Sequence, residues 1–337
     1  MYKIKLSDRA SASFISSADE TLLQAALGSG LGFPYECTIG ACGSCMFQLR
    51  SGKVAEPRKP SDTYLAARKS GYYLACQCFP KSDCEIDVQL NEKFIPTISP
   101  ESRTVRLAKR EALTHDMYEI TFTSDAPAEF LPGQFVLLNI PGVEGPRAYS
   151  MCNLPGEREW KFIVKRVQGG VGTTVLLDRL AIGDTVTLHG PYGFSFLRNN
   201  SARDIVCIAG GSGLSPILSI LRGAVRDPSL KDCRVHFFYG GKSPRDMCVR
   251  SLFDTEKILA KRIRLVEAVS DKAEPKSVSW TGEQGFVHEV VAKFIENSAT
   301  EFEYYFCGPP PMVDAVNRML SISFRVPGPQ LHFDRFY

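Results

Sequence analysis

Four cysteines in the first quarter of the chain have a spacing that suits iron ligation. Cys37, Cys42 and Cys45 follow the pattern C-x4-C-x2-C, and Cys76 comes after thirty further residues. Two irons in one cluster need four soft thiolate ligands, and this pattern supplies three from one tight loop and one from a remote element. The spacing therefore predicts a [2Fe–2S] cluster held by these four cysteines.

The residues between the first three cysteines are small. Gly40, Ala41, Gly43 and Ser44 occupy the loop, and such residues let the backbone wrap closely around a cluster. We expect their amide N–H groups to point at the cysteine sulfurs, an arrangement that tunes the potential of a cluster.

Alternatives to this ligand set remain open. Zinc sites usually pair two C-x2-C-like knuckles, whereas this region contains one. Cys78 is the alternative fourth ligand, although the segment Leu74-Ala75-Cys76-Gln77 favours Cys76. We expect whichever of the two is not a ligand, and Cys84, to be structural thiols.

Two glycine-rich segments have the residues to receive phosphate. In the segment 209–216, Gly211 and Gly213 follow a strand-like run and precede a helix-like run, so a pyrophosphate can approach the helix end. Pro216 stands where the Rossmann fingerprint has its third glycine, and proline suits a first helical turn. The other segment is expected to bind its ligand through Val164, Lys165, Gly170, Gly172, Thr173 and Thr174.

A short strand-like motif, Arg147-Ala148-Tyr149-Ser150, lies between these segments and the cysteines. Alternation along a strand puts Arg147 and Tyr149 on the same face. An arginine can fork onto a phosphate, and the tyrosine ring can stack on a planar aromatic ligand. The alternative without a bound ligand is an ordinary strand with an exposed arginine and a half-buried tyrosine.

Composition sets the limits within which these sites must be placed. The chain has 337 residues, is 44% hydrophobic and 23% charged, and carries a net charge of +3. This length predicts two or three globular domains. The weak net charge argues against nucleic-acid binding, and no apolar run is long enough to predict a membrane span. Eleven cysteines, an odd number spread along the chain, indicate a reducing cytoplasm rather than a disulfide framework.

The elements that must position these residues fall into three units. Residues 1–93 contain short alternating strands and a helix over 20–28, for which Asp19 is the expected N-cap. Residues 94–103 contain two prolines and are expected to be a linker. Strand-like runs broken by proline and glycine predict an antiparallel barrel over 104–200. Alternating strands and helices over 201–337 predict a mostly parallel sheet.

These motifs also resemble a known family. Residues 1–93 resemble a plant-type ferredoxin of β-grasp fold. The segment 147–150 is similar to the R-x-Y-[ST] flavin motif of the ferredoxin-reductase superfamily, and Pro132-Gly133-Gln134-Phe135 and Gly190-Pro191-Tyr192-Gly193 resemble its flanking motifs. The resemblance implies a Greek-key barrel that binds FAD rather than FMN. It also implies a Rossmann-like NAD(H) domain, because the segment 209–216 resembles G-G-x-G-x-x-P.

The resemblance further implies roles for individual residues. Ser150 would hydrogen-bond the flavin near N5. Cys307, Gly308 and Pro309 lie in a segment similar to C-G-P-P-x-M, which implies that Cys307 orients the nicotinamide. The chain ends with an acidic-x-aromatic pattern, Asp334 and Phe336, and Tyr337 is the alternative aromatic. The aromatic ring would cover the flavin and the carboxylate would lie near N5, although many relatives have glutamate at this position.

The choice between NADH and NADPH depends on a loop near the predicted adenosine ribose. Asp246 would accept a hydrogen bond from a ribose hydroxyl and repel a 2′-phosphate, whereas Lys242 and Arg245 would attract that phosphate. We expect NADH.

The order of the three units resembles the reductase components of bacterial aromatic-ring oxygenases, of the benzoate-dioxygenase and toluene- or phenol-monooxygenase types. The expected function is therefore transfer of electrons from NADH through FAD and the cluster to an oxygenase component, by a monomer. The alternatives are the same chemistry serving another acceptor, such as a sugar deoxygenase, and a non-catalytic scaffold.

Overall fold

The computed structural model describes residues 1–7, 12–58, 62–271 and 280–336. Its N-terminal unit contains the strands β1 (Tyr2–Leu6), β2 (Ser13–Ser16), β3 (Met46–Ser51), β4 (Val54–Ala55), β5 (Tyr72–Leu74), β6 (Phe79–Pro80) and β7 (Cys84–Asp87), and the helices α1 (Leu22–Gly28) and α2 (Asp62–Lys69). Five of these strands form a mixed sheet in the order β2-β1-β7-β3-β5, in which β1 and β7 are parallel. Helix α1 packs its buried leucines and alanines into the core of this unit.

The start of α1 differs from the expected one. Thr21, and not Asp19, is the N-cap, because the Thr21 hydroxyl accepts from the Gln24 amide at 3.2 Å and the Gln24 side chain accepts from the Thr21 amide at 2.9 Å. This reciprocal capping box satisfies two backbone donors that a free helix end would leave unpaired. Asp19 instead bonds the Ser17 hydroxyl outside the helix.

The middle unit is a six-stranded antiparallel barrel in the order β11-β10-β13-β8-β9-β12. A bridge between Met151 and Phe162 joins the two outer strands and closes it. Its elements are β8 (Glu101–Ala112), β9 (Met117–Thr123), β10 (Phe135–Asn139), β11 (Arg147–Ser150), β12 (Glu159–Lys165), α3 (Val171–Thr174), which continues as a π-helical turn over Val175–Arg179, and β13 (Thr185–Tyr192).

Strand β8 was not among the predicted elements. It begins at Glu101, inside the segment expected to be a linker, and only Val105 and Leu107 of its twelve residues are buried. The other positions are mainly charged or small, so the apolar alternation that marks a half-buried strand is short. Pairing with β13 on one side and β9 on the other keeps the segment extended.

The C-terminal unit is a parallel sheet in the order β17-β16-β15-β14-β18-β19, with helices on its faces. Alternation of strand and helix along the chain requires parallel strands, because each helix returns the chain to the same edge. Its elements are β14 (Asp204–Gly210), α4 (Leu214–Ala224), β15 (Val235–Gly241), α5 (Val249–Thr255), α6 (Lys257–Arg262), β16 (Ile263–Val269), β17 (Glu283–Gln284), α7 (Val287–Ile295), β18 (Phe302–Gly308), α8 (Pro310–Arg318) and β19 (Leu331–Arg335).

An aromatic cluster packs the N-terminal unit against the barrel. The buried Tyr35 ring lies 4.8 Å from Phe194, 5.9 Å from Tyr192 and 6.4 Å from Phe94, measured between ring centroids. The Gly193 amide donates to the Tyr35 hydroxyl at 3.3 Å. Such a cluster removes apolar surface from water and fixes the orientation of the two units. None of the described helices has the length and apolar character needed to cross a membrane.

Candidate functional site

The four predicted cysteine ligands come together as two pairs. Cys45 Sγ lies 3.3 Å from Cys76 Sγ, and the Cys42 amide lies 3.3 Å from Cys37 Sγ. Two thiolates on one tetrahedral metal with bonds of about 2.3 Å are about 3.8 Å apart. Cys45 and Cys76 are therefore close enough to share one iron, and Cys37 and Cys42 are the candidate pair for the second iron of a [2Fe–2S] cluster.

Backbone amides of the cysteine loop point at the sulfurs, as expected from its small residues. The amides of Ala41 and Cys42 lie 3.3 Å from Cys37 Sγ, and those of Cys37 and Ser44 lie 3.5 Å from Cys42 Sγ. Gly40 and Gly43 have φ angles of 86° and 81°, a conformation that glycine adopts without steric cost. The four amides are hydrogen-bond donors aimed at the sulfurs, an arrangement that favours thiolates.

The structure separates the two candidates for the fourth ligand. Cys76 faces Cys45, and the Gln77 side chain donates to Cys76 Sγ at 3.5 Å. Cys78 is completely buried, and its thiol lies 3.6 Å from Glu56 Oε1. The contact of Cys76 with Cys45 and that of Cys78 with Glu56 therefore favour Cys76 as the fourth ligand.

A cleft of about 940 Å³ runs between all three units. Its wall is formed by the barrel strands β11 and β12, the start of α3, the C-terminal strand β19 and the first residue of the cysteine loop, Cys37. A volume of this size lies in the range of small-molecule and cofactor sites. The residues of the predicted flavin set that line it are Arg147, Tyr149, Ser150, Val164, Lys165, Gly170, Gly172, Thr173, Asp334 and Phe336.

Two predicted residues of strand β11, Tyr149 and Ser150, are fixed by contacts with the surrounding protein. The Tyr149 ring packs against Phe162 at 6.2 Å between centroids with the ring planes tilted by 58°, and burial raises the pKa of its hydroxyl to about 12. Ser150 is buried, and its carbonyl accepts from the Ser215 hydroxyl at 2.7 Å. Ser215 also accepts from the Ile163 amide at 3.0 Å. Ser215, which the sequence analysis did not single out, therefore ties helix α4 to two strands of the barrel.

The predicted phosphate segment forms a tight turn at the cleft. Gly170 is the N-cap of α3, and its carbonyl accepts from the hydroxyls of Thr174 at 2.8 Å and Thr173 at 3.3 Å. A Cβ added at Gly172 would lie at an ordinary contact distance of 3.5 Å from the Arg147 side chain, so the helix start and that arginine are close neighbours. Thr174, although predicted as a contact residue, is not part of the cleft wall as the described residues define it.

The glycine segment after β14 crosses closely over β18. Gly211 has a φ of 54°, and a side chain at Gly213 would overlap the carbonyl of Cys307. Gly308 lies against Gly210 and Met312, and Pro309 is the N-cap of α8. Pro216 lies in the first turn of α4, as predicted. The two predicted nucleotide motifs therefore meet at the carboxyl end of adjacent parallel strands, where ligands bind in open α/β sheets.

Cys307 and Phe336 lie in contact with one apolar cluster on the nucleotide side. Cys307 is a buried member of that cluster, Phe336 packs against it, and Phe336 also lines the cleft. Burial and the Asp334 carboxylate raise the pKa of Cys307 well above its usual value. A neutral thiol cannot act as a nucleophile at neutral pH, so a role in orientation fits better.

Asp334 lies on the cleft wall with one carboxyl oxygen, Oδ2, buried and without a hydrogen-bond partner among the described residues. Burial, reinforced by the charge of Glu36, raises the pKa of Asp334 to about 7. An unpartnered buried polar atom is uncommon in folded proteins. It fits a wall that faces a polar ligand.

The Asp246 carboxylate is hydrogen-bonded by the backbone of its own loop. Its Oδ2 accepts from the amides of Lys242 at 3.1 Å and Ser243 at 2.9 Å, while Oδ1 lies 3.9 Å from His115 Nδ1. Asp116, which pairs with Lys165 at 3.1 Å, is a second carboxylate at this place. No sequence pattern links these positions, because 116 lies in the barrel and 246 in the parallel sheet unit.

Three family models match consecutive parts of this chain. The 2Fe-2S iron-sulfur cluster binding domain matches residues 7–81, the oxidoreductase FAD-binding domain matches 104–196, and the oxidoreductase NAD-binding domain matches 207–318.

Similar proteins align over nearly the whole chain. The ferredoxin–NAD(P)(+) reductase CarAd of Metapseudomonas resinovorans is 38% identical, over 100% of both chains. The ferredoxin–NAD(+) reductase component of the alkene monooxygenase system of Xanthobacter autotrophicus is 34% identical over 96% of this chain and 98% of that one. A solved structure of the ferredoxin reductase in carbazole 1,9a-dioxygenase is 37% identical with a TM-score of 0.89, covering 100% of this chain and 98% of that one. These matches confirm the predicted fold class, the three cofactors and the class of oxidoreductase.

Proposed function

This chain belongs to the ferredoxin–NAD(P)(+) reductase components of oxygenase systems, which move electrons from NAD(P)H through FAD and a [2Fe–2S] cluster, and on that premise we propose that it takes hydride from NADH and reduces an oxygenase component. The observation that carries the proposal is one cleft lined both by Tyr149 and Ser150 of the barrel and by Cys37 of the cysteine loop. The two sites of electron transfer are thereby direct neighbours.

The flavin is held by the wall of this cleft. Arg147 and the start of α3, at Gly170 and Gly172, bind its phosphates, because an arginine fork and free helix-end amides both favour anions. Tyr149 and Phe336, which both line the cleft, would hold the isoalloxazine by stacking, and Phe336 would give way to the nicotinamide. Once bound, this flavin accepts a two-electron hydride and releases electrons singly, which is chemistry that belongs to the cofactor.

The cluster is held by Cys37 and Cys42 on one iron and by Cys45 and Cys76 on the other. The aromatic contacts of Tyr35, two residues before Cys37, hold the cysteine loop against the barrel. The chain's contribution to electron transfer is therefore this fixed short separation between two sites, together with exclusion of water by Phe94 and Phe194.

The nucleotide is held by the segment from Gly211 to Pro216 and by the segment from Cys307 to Pro309. Cys307 orients the nicotinamide as a neutral thiol, and Asp334 on the adjacent strand holds a proton near neutral pH. Asp246, with Asp116 beside it, disfavours the 2′-phosphate of NADPH, because like charges at short range repel.

The acceptor is proposed from the relatives. Several relatives are named as reductase or electron transfer components of alkene, xylene/toluene, phenol and propane monooxygenases and of naphthalene 1,2-dioxygenase/salicylate 5-hydroxylase systems. A cytochrome P450 reductase from Amycolatopsis also shares the fold at 27% identity with a TM-score of 0.81, so the same reductase layout serves different acceptors. We propose an oxygenase that acts on an aromatic compound, with another acceptor such as a sugar deoxygenase as the alternative.

The proposed organisation follows the predicted boundaries. Residues 1–93 form the ferredoxin domain, 94–103 lead into the barrel, 104–200 form the FAD domain and 201–337 the NAD(H) domain. All eleven cysteines are free, which supports a reducing cytoplasm as the compartment. We propose that the chain acts as a monomer.

An anaerobic visible spectrum before and after addition of NADH tests this function. We expect flavin and iron–sulfur bands that both bleach with NADH, because the cleft connects the two sites. Bleaching of the flavin band alone would contradict the path to the cysteine loop. A response to NADPH but not to NADH would contradict the role of Asp246 and leave the rest of the function intact.

A further inference from the structure

One arginine of the N-terminal unit reaches into a loop of the barrel. Arg58 follows β4, and its Nη2 donates to the carbonyl of Glu144 at 2.6 Å and to that of Pro146 at 3.5 Å. The loop that provides these carbonyls leads directly into β11, whose first residue is Arg147. The two units thus meet at the residue proposed to bind the flavin phosphates.

Arg147 uses the same carbonyl groups. Its Nη1 donates to Glu144 at 3.0 Å, Gly145 at 3.1 Å and Pro146 at 3.2 Å. Two guanidinium groups therefore share acceptors, and neither forms an ion pair with any residue in the described part of the chain. Burial and the charge of Arg147 lower the pKa of Arg58. Two neighbouring cations without a paired carboxylate favour an anion beside them.

The loop has a glycine where Arg58 crosses it. Gly145 has a φ of 66°, and a Cβ at this position would overlap the Arg58 guanidinium. The close approach therefore depends on the missing side chain. Any larger residue at 145 would displace Arg58 from the carbonyls.

We propose that Arg58 is a positioning residue for Arg147, so that the ferredoxin unit takes part in binding the diphosphate of the flavin. When Arg147 turns toward a phosphate, it gives up its hydrogen bonds to the carbonyls of the loop. Arg58 still donates to the carbonyls of Glu144 and Pro146, and it adds a second positive charge. This inference rests on the proposed role of Arg147 in the function above.

The inference predicts a dependence on phosphate that a purely structural contact would not have. Flavin-free full-length protein is titrated with FAD, FMN and riboflavin, and binding is followed by flavin fluorescence. We expect Arg58→Ala to weaken FAD and FMN by at least about ten-fold, the loss typical of a hydrogen bond to a charged group, and to leave riboflavin unchanged. Arg58→Lys should restore part of the loss. Arg50→Ala, which removes an exposed arginine paired with Asp87 in the same unit, is the matched control and should change none of the three affinities.

A second variant protects the test against misfolding of the first. Gly145→Ala displaces the same guanidinium from the other side of the contact, with an added strain because of its positive φ. The two substitutions are then combined in a double-mutant cycle. Gly145→Ala should reduce the preference for FAD over riboflavin when Arg58 is present, and should have no further effect on this preference when Arg58 is already replaced by alanine.

Two results would overturn the inference. Equal losses for FAD and riboflavin would mean that Arg58 only shapes the cleft, and unchanged FAD affinity would mean that it has no role in flavin binding. Both leave the proposed function standing. A native protein that binds FAD no better than riboflavin would instead contradict the role of Arg147 itself.

Discussion

Cys307 and Asp334 are register partners on the adjacent parallel strands β18 and β19. The carboxylate contributes to the raised pKa of the thiol, and its own pKa is raised to about 7 by burial. The Cys307 thiol therefore stays neutral near neutral pH, whereas Asp334 lines the cleft and titrates there. Asp334 thus changes its charge within the physiological range.

The titration of Asp334 predicts a pH-dependent effect on stability. Its folded pKa of about 7 exceeds the ordinary 3.8, so the folded state binds the proton more tightly. The resulting stabilisation is complete below the ordinary value and is lost as the pH rises through 7. We therefore expect Asp334→Asn, which stays neutral, to denature at a higher temperature than the native protein at about pH 8, and we expect this difference to shrink progressively as the pH is lowered toward 4.

Thermal denaturation of both proteins across this range is the measurement. Asp314→Asn serves as the control. Asp314 is an exposed carboxylate that pairs at 3.1 Å with Arg335, and Arg335 lies on the same strand as Asp334, β19. A difference between Asp334→Asn and the native protein that does not change with pH would contradict the raised pKa.

Removal of one cluster ligand should separate two activities. We expect Cys42→Ser to abolish reduction of cytochrome c by NADH and to retain reduction of ferricyanide, because ferricyanide can take electrons from the flavin directly. Steady-state assays with both acceptors measure this. Cys233→Ser, a half-buried thiol of the parallel-sheet unit, should keep both activities. Loss of both in Cys42→Ser would mean that the cluster is needed for folding or that the electron path is wrong.

The identity of the fourth ligand has its own test. Cys76→Ser should lose the iron–sulfur absorption and the bound iron, because its sulfur lies 3.3 Å from Cys45 Sγ. Cys78→Ser should keep both, since the Cys78 thiol faces Glu56. Iron and sulfide analysis of the two purified variants decides between them, and loss of iron only from Cys78→Ser would reverse the assignment.

The preference for NADH should depend on the charge of Asp246. Asp246→Asn retains an oxygen that can accept from the amides of Lys242 and Ser243 but removes the negative charge. We expect the ratio of kcat/KM for NADPH to that for NADH to rise about ten-fold, as for removal of one close like charge. Asp254→Asn, an exposed carboxylate on α5, controls for net charge. An unchanged ratio in Asp246→Asn would place the 2′-phosphate discrimination elsewhere.

Much of this site follows from local sequence. The cysteine loop, the motif at 147–150 and the glycine segment at 211–216 each place their predicted ligand contacts on neighbouring residues. Small residues and helix ends set the backbone conformation there. Even here, a local competition misled the prediction of the α1 start: Asp19 and Thr21 are both good N-caps, and only the reciprocal bonds of Gln24 select Thr21.

The tertiary structure alone decided which residues that are far apart in the chain lie close together in space. Tyr35 docks on Tyr192 and Phe194, and this contact places Cys37 at the same cleft as Tyr149. Arg58 meets the carbonyls before Arg147 across more than eighty residues. The burial that raises the pKa of Asp334 likewise arises only when β19 adds to the sheet beside β18. The sequence by itself determined which ligands each unit binds, because those contacts are local. The distances between the sites depend on apolar packing between units. Such packing produces no periodic pattern in the sequence from which these distances could be predicted.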